Sequence, residues 1–413
     1  MSRSRLNLYV YILEALNALS TAYYFNYLFF FLKSEYQFTN FQNLLVCALN
    51  GAVFIPCALF AGKFGQKHGY VKAFALGSVI MVAALSVSMF VVGNVSVLNG
   101  TVLSGIPEIM IAMCVWTFGM CFTWPNLEAL ACDHVDPGKL PGIVGVYNVV
   151  WAGGGAIAYF CGGAIVEALG WRSIFWLPAA ITAVQLAIAI YLNPHWKKIS
   201  AAPVSVTADL HEAHPQGPLF LKLAWIANPF AYIAINAIVP VFPSVAARFE
   251  LTPKLAGFFC SVWFFSRMIT FAILWIWPGW HYRFRYLILA YVGMVLCFAG
   301  VLLIQNLWAV VAVQVVFGWC LGLIYYASLY YSMHVGDTKG EHGGAHEAAI
   351  GVGIFSGPAI GATSIALFPN LVYSGVYGVA IVLSLGFATL LVVRRRRSSA
   401  PAAYNLPNAQ HPL

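Results

Sequence analysis

Long apolar runs recur from one end of the chain to the other, separated by short polar stretches. Each run holds about 20 residues, enough for a helix to cross a hydrocarbon core of about 30 Å. The runs are continuous, whereas strands of a membrane β-barrel alternate apolar and polar positions over about ten residues. We therefore predict twelve membrane-spanning helices, at 7–32, 41–62, 73–93, 105–127, 142–166, 173–192, 219–243, 254–277, 286–305, 308–333, 345–369 and 372–393.

Composition agrees with a membrane protein. Of the 413 residues, 61% are hydrophobic and only 8% are charged, against roughly 25% charged residues in a soluble domain. The opening segment is interpreted as the first helix and not as a signal peptide. It carries Glu14 and Asn17 and continues to Leu32 without a small-residue cleavage site.

The cations are distributed unequally between alternate loops. With the N-terminus inside, sixteen of the 21 Lys and Arg residues fall in inner loops and tails, four fall in outer loops, and Arg267 lies within a span. The positive-inside rule therefore predicts that both termini are cytoplasmic, in a plasma or inner membrane. The net charge of +8 reports this orientation, and no nucleic-acid partner is predicted.

A polar stretch after the sixth span divides the chain into two similar halves. At an offset of 199, seven residue identities recur between the halves, and Asn148 falls on Glu347; at an offset of 213, Asn50 falls on Trp263. Repeated halves around a site near the membrane midplane are usual in secondary transporters. The predicted domains are an N-terminal bundle at 1–192, a cytoplasmic linker at 193–217, a C-terminal bundle at 218–397 and a disordered cytoplasmic tail at 398–413.

The loop after the second span carries a recognisable motif, GKFGQKHGYVK, between Gly62 and Lys72. It resembles the signature loop Gly-x-x-x-Asp-Arg-x-Gly-Arg of the major facilitator superfamily, although Gln66 replaces the family's Asp. Further similar pieces lie at 162–176 and 330–361. The resemblance implies an all-α membrane fold of two pseudo-symmetric six-helix bundles that open alternately to each side of the membrane.

Residues near the predicted cytoplasmic helix ends are candidates for a gate. Glu128 and Glu347 lie near such ends, where salt bridges to Lys67, Lys72 or Lys139 are favoured over substrate contact. The predicted cytoplasmic gate comprises Gly62, Lys67, Gly69, Glu128 and Glu347.

Two charged residues lie well inside spans, where an unpaired charge costs at least about 2.5–3.5 kcal/mol. Glu14 is interpreted either as the carrier of a coupling proton or as the structural partner of a buried cation. Arg267 is predicted at a similar depth, where it would bind an anionic part of the substrate or deprotonated Glu14. An alternative role for Arg267 is to tie helix backbone carbonyls.

Amides and tryptophans within the spans complete a candidate substrate site. Trp263 precedes Arg267 by one helical turn, so both lie on one helix face. Each amide alone could equally bridge two helices. The substrate-binding candidates are Arg267, Trp263, Asn17, Asn50, Asn148, Trp151, Asn236 and Gln314.

Other kinds of chemistry find little support. The nine cysteines form no CxxC pair, so neither a disulfide framework nor a zinc site is predicted. A metal cluster of His334, Asp337, Glu341, His342 and His346 is less favoured than a solvated loop, because the ligand spacing is irregular. The chain has no GxxxxGKS phosphate loop. We predict no enzyme activity, cofactor or metal; glycosylation at Asn94 or Asn99 is left open.

The predicted function is secondary active transport of a small organic solute, sugar-like or an organic anion. The expected partners are this solute, protons and the lipid bilayer, and the expected state is a monomer. Two alternatives stay open: an exporter of amphipathic drugs, and a membrane sensor or receptor that keeps the carrier fold without transport.

Overall fold

The computed structural model describes residues 3–93, 105–133, 135, 140–200, 214–335 and 339–398. Asn94, Asn99 and Asp337 lie outside these ranges. The described residues form fourteen α-helices: α1 (Arg3–Tyr36), α2 (Asn40–His68), α3 (Tyr70–Gly93), α4 (Ile106–Cys121), α5 (Trp124–Cys132), α6 (Leu140–Leu169), α7 (Ser173–Ser200), α8 (Gly217–Ile238), α9 (Phe242–Arg248), α10 (Pro253–Ile276), α11 (Phe284–Leu303), α12 (Leu307–Val335), α13 (Lys339–Leu367) and α14 (Ser374–Ser398).

Two of the predicted spans are built from consecutive helices. Pro125 lies in the first turn of α5, which begins directly after the break that ends α4. A 3₁₀ turn at Val239–Val241 separates α8 from α9, and Pro243 lies in the first turn of α9. Proline lacks the backbone N–H of a helix interior but suits a first turn, so each helix restarts at its proline.

Eleven helical stretches of the described chain are long and apolar enough to cross a membrane, by length and composition. The first helix, α1, has 34 residues and is long enough to span, but its polar residues lower its hydropathy. Glu14, Asn17, Ser20, Thr21 and Asn26 on α1 are all buried in the protein. The polar face of α1 is therefore turned toward the other helices, where polar groups find partners that lipid does not offer.

Several helices extend beyond their predicted spans, and two of them reach into the predicted linker and tail. α7 continues through Pro194 to Ser200, so the predicted linker at 193–217 begins as a helix. The indole of Trp196 in this extension donates a hydrogen bond to Asp133 Oδ2 (3.2 Å). α14 likewise continues to Ser398. The residues 201–213 and 399–413 lie outside the description, and the division into two bundles stays a prediction.

Helices from the two parts of the chain meet mainly in two pairs, α2 with α13 and α6 with α10. Glycine residues allow the two helices of each pair to approach closely. A Cβ atom on Gly351 of α13 would lie only 2.9 Å from the ring of Phe54 on α2. On α6, the position of Gly163 faces the carbonyl oxygen of Pro253 at the start of α10. Only a residue without a side chain permits such an approach.

Hydrogen bonds join these parts on the side where α1 ends, which the charge distribution predicts to be the outer side. The Asn43 amide donates to the carbonyls of Phe29 (3.2 Å) and Pro240 (3.1 Å). The Ser244 hydroxyl donates to Asn40 Oδ1 (2.5 Å). A carboxylate oxygen of Glu167 accepts from the backbone N–H that begins α10 (2.9 Å). These bonds connect α2 with the 3₁₀ turn after α8 and with α9, and they connect α6 with α10.

Candidate functional site

A central cavity lies between helices from both parts of the chain, with a volume of about 140 Å³. This volume is below the range of about 300–1,000 Å³ that is usual for small-molecule sites, so in this conformation the cavity holds a small molecule at most. Seven residues predicted from the sequence line it: Asn50, Glu128, Trp151, Asn236, Trp263, Arg267 and Glu347. Further lining residues with aromatic or polar side chains are Phe25, Asn26, Trp124, Tyr147, Tyr232, Phe264 and Tyr325.

Arg267 projects from α10 into an aromatic box. Its guanidinium carbon lies 4.5 Å from the ring centre of Trp151, 4.8 Å from Phe264 and 5.0 Å from Trp263. The side chain is only 4% exposed. No carboxylate or backbone carbonyl of the described residues pairs with it. The aromatic faces stabilise the cation without occupying its N–H donors, so those donors stay free for an anion.

An aromatic wall connects this box with the other side of the cavity. The ring of Trp151 stacks on that of Tyr325, with centres 4.9 Å apart. The Tyr325 ring in turn lies 5.7 Å from the imidazole of His346. The cationic and acidic sides of the cavity are therefore separated by two aromatic rings.

The acidic side holds Glu128 of α5 together with His346 and Glu347 of α13. One possible ligand atom from each of the three side chains lies within 4.8 Å of the other two. All three residues are buried. Glu128 Oε2 and His346 Nε2 have no hydrogen-bond partner among the described residues. His346 Nδ1 faces the Ser328 hydroxyl at 3.5 Å.

This arrangement differs from the sequence prediction on two points. Glu128 and Glu347 were expected to pair with lysines at a cytoplasmic gate, but they line the central cavity, while Lys67 and Lys72 are exposed. His346 was expected in a solvated loop and is instead buried in α13. Both residues already fall in the predicted span at 345–369, but α13 begins earlier, at Lys339, so they lie within the helix where it packs against α5 and not at its end.

Glu14 lies one hydrogen bond behind the cavity wall. The Tyr147 hydroxyl, which lines the cavity, donates to Glu14 Oε2 (2.8 Å). Glu14 is fully buried, and its Oε1 has no partner among the described residues. Tyr147, and not Arg267, is thus the partner of this carboxyl in the structure.

The remaining substrate candidates fall into two groups. Asn50 donates to the Thr117 hydroxyl (2.6 Å) and Asn236 to the carbonyl of Tyr232 (2.9 Å), and both amides line the cavity. The side chains of a second group are buried without a described partner and do not line the cavity. These are Asn17, Asn148 and Gln314.

The predicted gate loop has the geometry of a tight helix connection. Gly62 is buried within α2, and Lys67 is exposed at its end. Gly69 joins α2 to α3 with a φ of 98°, a left-handed backbone conformation that glycine adopts without a steric penalty. The loop and the acidic side chains thus occupy different places in the molecule.

Tyr147, Tyr232 and Phe264 line the cavity and were not predicted from the sequence. Each lies within one helical turn of a predicted residue: Tyr147 precedes Asn148, Tyr232 lies one turn before Asn236, and Phe264 follows Trp263. This proximity was the local signal that could have found them. The contact between Tyr147 and Glu14 had no such signal, because nothing in the helix of Tyr147 indicates that α1 will bring a carboxyl group to it.

A family model and a curated relative both name the same protein family. The model of the Major Facilitator Superfamily matches residues 10–223, more than half of the chain. A multidrug transporter of that superfamily, mfsC of Aspergillus fumigatus, is 26% identical over 164 residues. That match covers 40% of this chain and 29% of the relative, so the aligned region is less than a third of the relative's length.

Two solved structures have a similar fold. One comes from work on substrate recognition in proton-dependent oligopeptide transporters, with a TM-score of 0.66 over 95% of this chain and all of that one. The other is a bacterial homologue of the human drug peptide transporters PepT1 and PepT2, with a TM-score of 0.67 over 96% of this chain and all of that one. Both are 15% identical to this chain, and the likeness is one of fold.

Proposed function

Since the chain belongs to the major facilitator superfamily, we propose that it is a secondary transporter that carries a small organic anion by alternating access, coupled to protons. The observation that supports an anionic substrate is the burial of Arg267 without a described carboxylate partner. A buried guanidinium whose N–H donors pair with no carboxylate among the described residues needs a counter-charge, and a cavity of about 140 Å³ lies beside it.

The aromatic residues support a substrate with an apolar or planar body. In this proposal Arg267 binds the anionic group, Trp151 and Trp263 pack against the body, and Asn50 and Asn236 add polar contacts. The buried Asn17, Asn148 and Gln314 stay candidates for contact in another conformation. Gly62, Lys67 and Gly69 are proposed to take part in the cytoplasmic gate, and Glu128 and Glu347 in closing the cavity.

Glu14 is proposed to carry the coupling proton. Its carboxyl accepts a hydrogen bond from Tyr147, a residue of the cavity wall. Protonation would remove the charge of Glu14, so the helices around it could move without exposing or burying a charge. Proton binding and release at Glu14 would then accompany each transport cycle.

A second candidate function is export of amphipathic drugs. It is favoured by the aromatic lining of the cavity and by the similarity to a multidrug transporter. The two candidates differ in the charge of the substrate. Arg267 is buried and has no acidic partner among the described residues, which favours an anion over the cationic compounds that an acidic site would select.

The proposal can be tested in proteoliposomes that contain the full chain. We expect a labelled small carboxylate to accumulate inside when the outside is made acidic. Arg267→Lys keeps the charge but loses the planar, bidentate donor set. It should raise the KM for the anion about 10- to 100-fold, as expected for a lost hydrogen bond to a charged group.

Arg248→Lys is the matched control, because Arg248 also lies over an aromatic ring, Phe249, but outside the central cavity. Normal anion transport by Arg267→Lys would contradict the proposed role of Arg267 in anion binding. Accumulation of a neutral sugar would show that the substrate is a sugar and not an anion. Gradient-driven movement of a cationic drug would support the alternative of a drug exporter. Binding without flux would indicate the sensor.

A further inference from the structure

We propose that Glu128, His346 and Glu347 form a binding site for a divalent transition-metal cation such as Zn²⁺. This inference departs from the sequence, whose irregular ligand spacing predicts no metal. It is also independent of the proposed transport function, because it concerns binding alone. The donor set of one imidazole nitrogen and two carboxylates is common to sites for Zn²⁺ and related ions.

The spacing of the three groups fits a shared ion. Ligand atoms in a tetrahedral site with metal distances of about 2.1 Å lie about 3.4 Å apart. The three side chains already present atoms within 4.8 Å of one another. Because Glu and His side chains rotate about several bonds, an ion would need to draw each of them inward by only a fraction of this distance.

Unpartnered atoms give a second, separate indication. Glu128 is 5% exposed and His346 is 3% exposed, yet Glu128 Oε2 and His346 Nε2 accept no hydrogen bond from any described residue. A buried polar atom without a partner is costly, and native proteins satisfy nearly all of them. A cation between the three side chains would satisfy both atoms at once and would separate two carboxylates that otherwise repel each other.

The surroundings of His346 orient it for this role. Its Nδ1 faces the Ser328 hydroxyl on α12, which leaves Nε2 as the free nitrogen. Metal-binding histidines commonly direct their second nitrogen to a polar group that fixes the ring. Three protein ligands leave at least one coordination position open, and two of the three, Glu128 and Glu347, line the central cavity.

The site would also link distant parts of the chain. Glu128 belongs to α5, whereas His346 and Glu347 belong to α13. An ion that binds all three residues therefore binds only in conformations that hold α5 against α13. Occupancy of the site would thus select among the conformations of the carrier.

The test is titration of the purified, untagged full chain in lipid nanodiscs with ZnCl₂, followed by isothermal calorimetry. We expect one ion per chain. Glu128→Gln, His346→Asn and Glu347→Gln should each weaken binding at least about tenfold, since even indirect partners of a metal site contribute that much. His68→Asn, which changes an exposed histidine at the end of α2, should bind as the native chain does.

Equal affinity in all of these variants would mean an adventitious ion only and would overturn the proposal. X-ray absorption at the zinc edge of the native protein gives a second, mutation-free measurement. A shell of nitrogen and oxygen atoms at about 2.0–2.2 Å supports the site, whereas sulfur at about 2.3 Å would assign the ion to cysteines and exclude it. This measurement also decides the matter if a variant does not fold.

Discussion

The cationic and acidic sides of the central cavity stabilise buried charge in different ways. Arg267 is surrounded by the faces of Trp151, Trp263 and Phe264. On the other side, Glu14 accepts a hydrogen bond from Tyr147, and Glu128 and Glu347 lie next to His346. Aromatic faces leave the guanidinium donors unused, and the acidic side leaves carboxylate oxygens unused. Among the described residues, each side therefore lacks a partner of opposite charge.

This difference separates the proposed roles of the two sides. The free donors of Arg267 suit an anionic substrate, while the acidic side suits a proton or a metal cation. If the division is correct, substitutions on the cationic side should change substrate affinity. Substitutions at Glu14 should instead change the response to a pH gradient.

The largest effect is expected for Glu14→Gln, because a glutamine cannot carry the coupling proton. In proteoliposomes with an imposed pH gradient, the accumulation ratio of the anion should fall to about one, while exchange of internal for external anion continues. Both are measured with the same labelled substrate. Glu35→Gln is the matched control, since Glu35 lies exposed at the far end of the same helix. Full gradient-driven accumulation by Glu14→Gln would place the coupling proton elsewhere.

The sequence predicted the cationic side better than the acidic side for a physical reason. Trp263 and Arg267 are four residues apart, so the period of one helix places them on the same face. The acidic side depends on the packing of α1, α5 and α13, which lie far apart in the chain. No helical period relates Glu128 to Glu347. Their meeting follows only from tertiary contacts.

A similar distinction applies to the fold. Continuous apolar runs predicted the spanning helices well, because the thickness of the hydrocarbon core sets the length of each run. Helix ends were less predictable. α7 passes Pro194 and reaches Ser200, and α13 begins at Lys339, in segments too polar for a hydropathy pattern to include. The earlier start of α13 also places His346 well inside the helix, although the predicted span at 345–369 put it next to a loop.

An intermediate effect is expected for Trp151→Ala on the cationic side. The ring of Trp151 lies against the Arg267 guanidinium on one side of the cavity and stacks on Tyr325. Loss of one cation–π contact, worth about 0.5–2 kcal/mol, should raise the KM for the anion about 3- to 30-fold. Trp308→Ala is the control, because Trp308 is 76% exposed on α12.

The accumulation ratio in a pH gradient separates affinity from coupling for this variant. At substrate concentrations above the new KM, Trp151→Ala should accumulate the anion as the native chain does. A loss of accumulation with an unchanged KM would mean that Trp151 serves coupling, and the division between the two sides would fail.

The smallest effect is expected for Tyr147→Phe on the acidic side. This change removes the hydroxyl that donates to Glu14 and keeps the ring in the cavity wall, so the cost is that of one hydrogen bond, about 0.5–1.5 kcal/mol. Gradient-driven uptake should slow about 2- to 10-fold while the accumulation ratio stays above one, as initial rates and steady-state levels can show. Tyr377→Phe, at a partly exposed position on α14, should leave both unchanged.

Because Glu14 itself remains, Tyr147→Phe differs from Glu14→Gln in kind: a positioning residue changes the rate, whereas the proton carrier changes the coupling. If Tyr147→Phe abolished accumulation as completely as Glu14→Gln, the hydroxyl would be an obligatory part of the proton path, and coupling would belong to the pair.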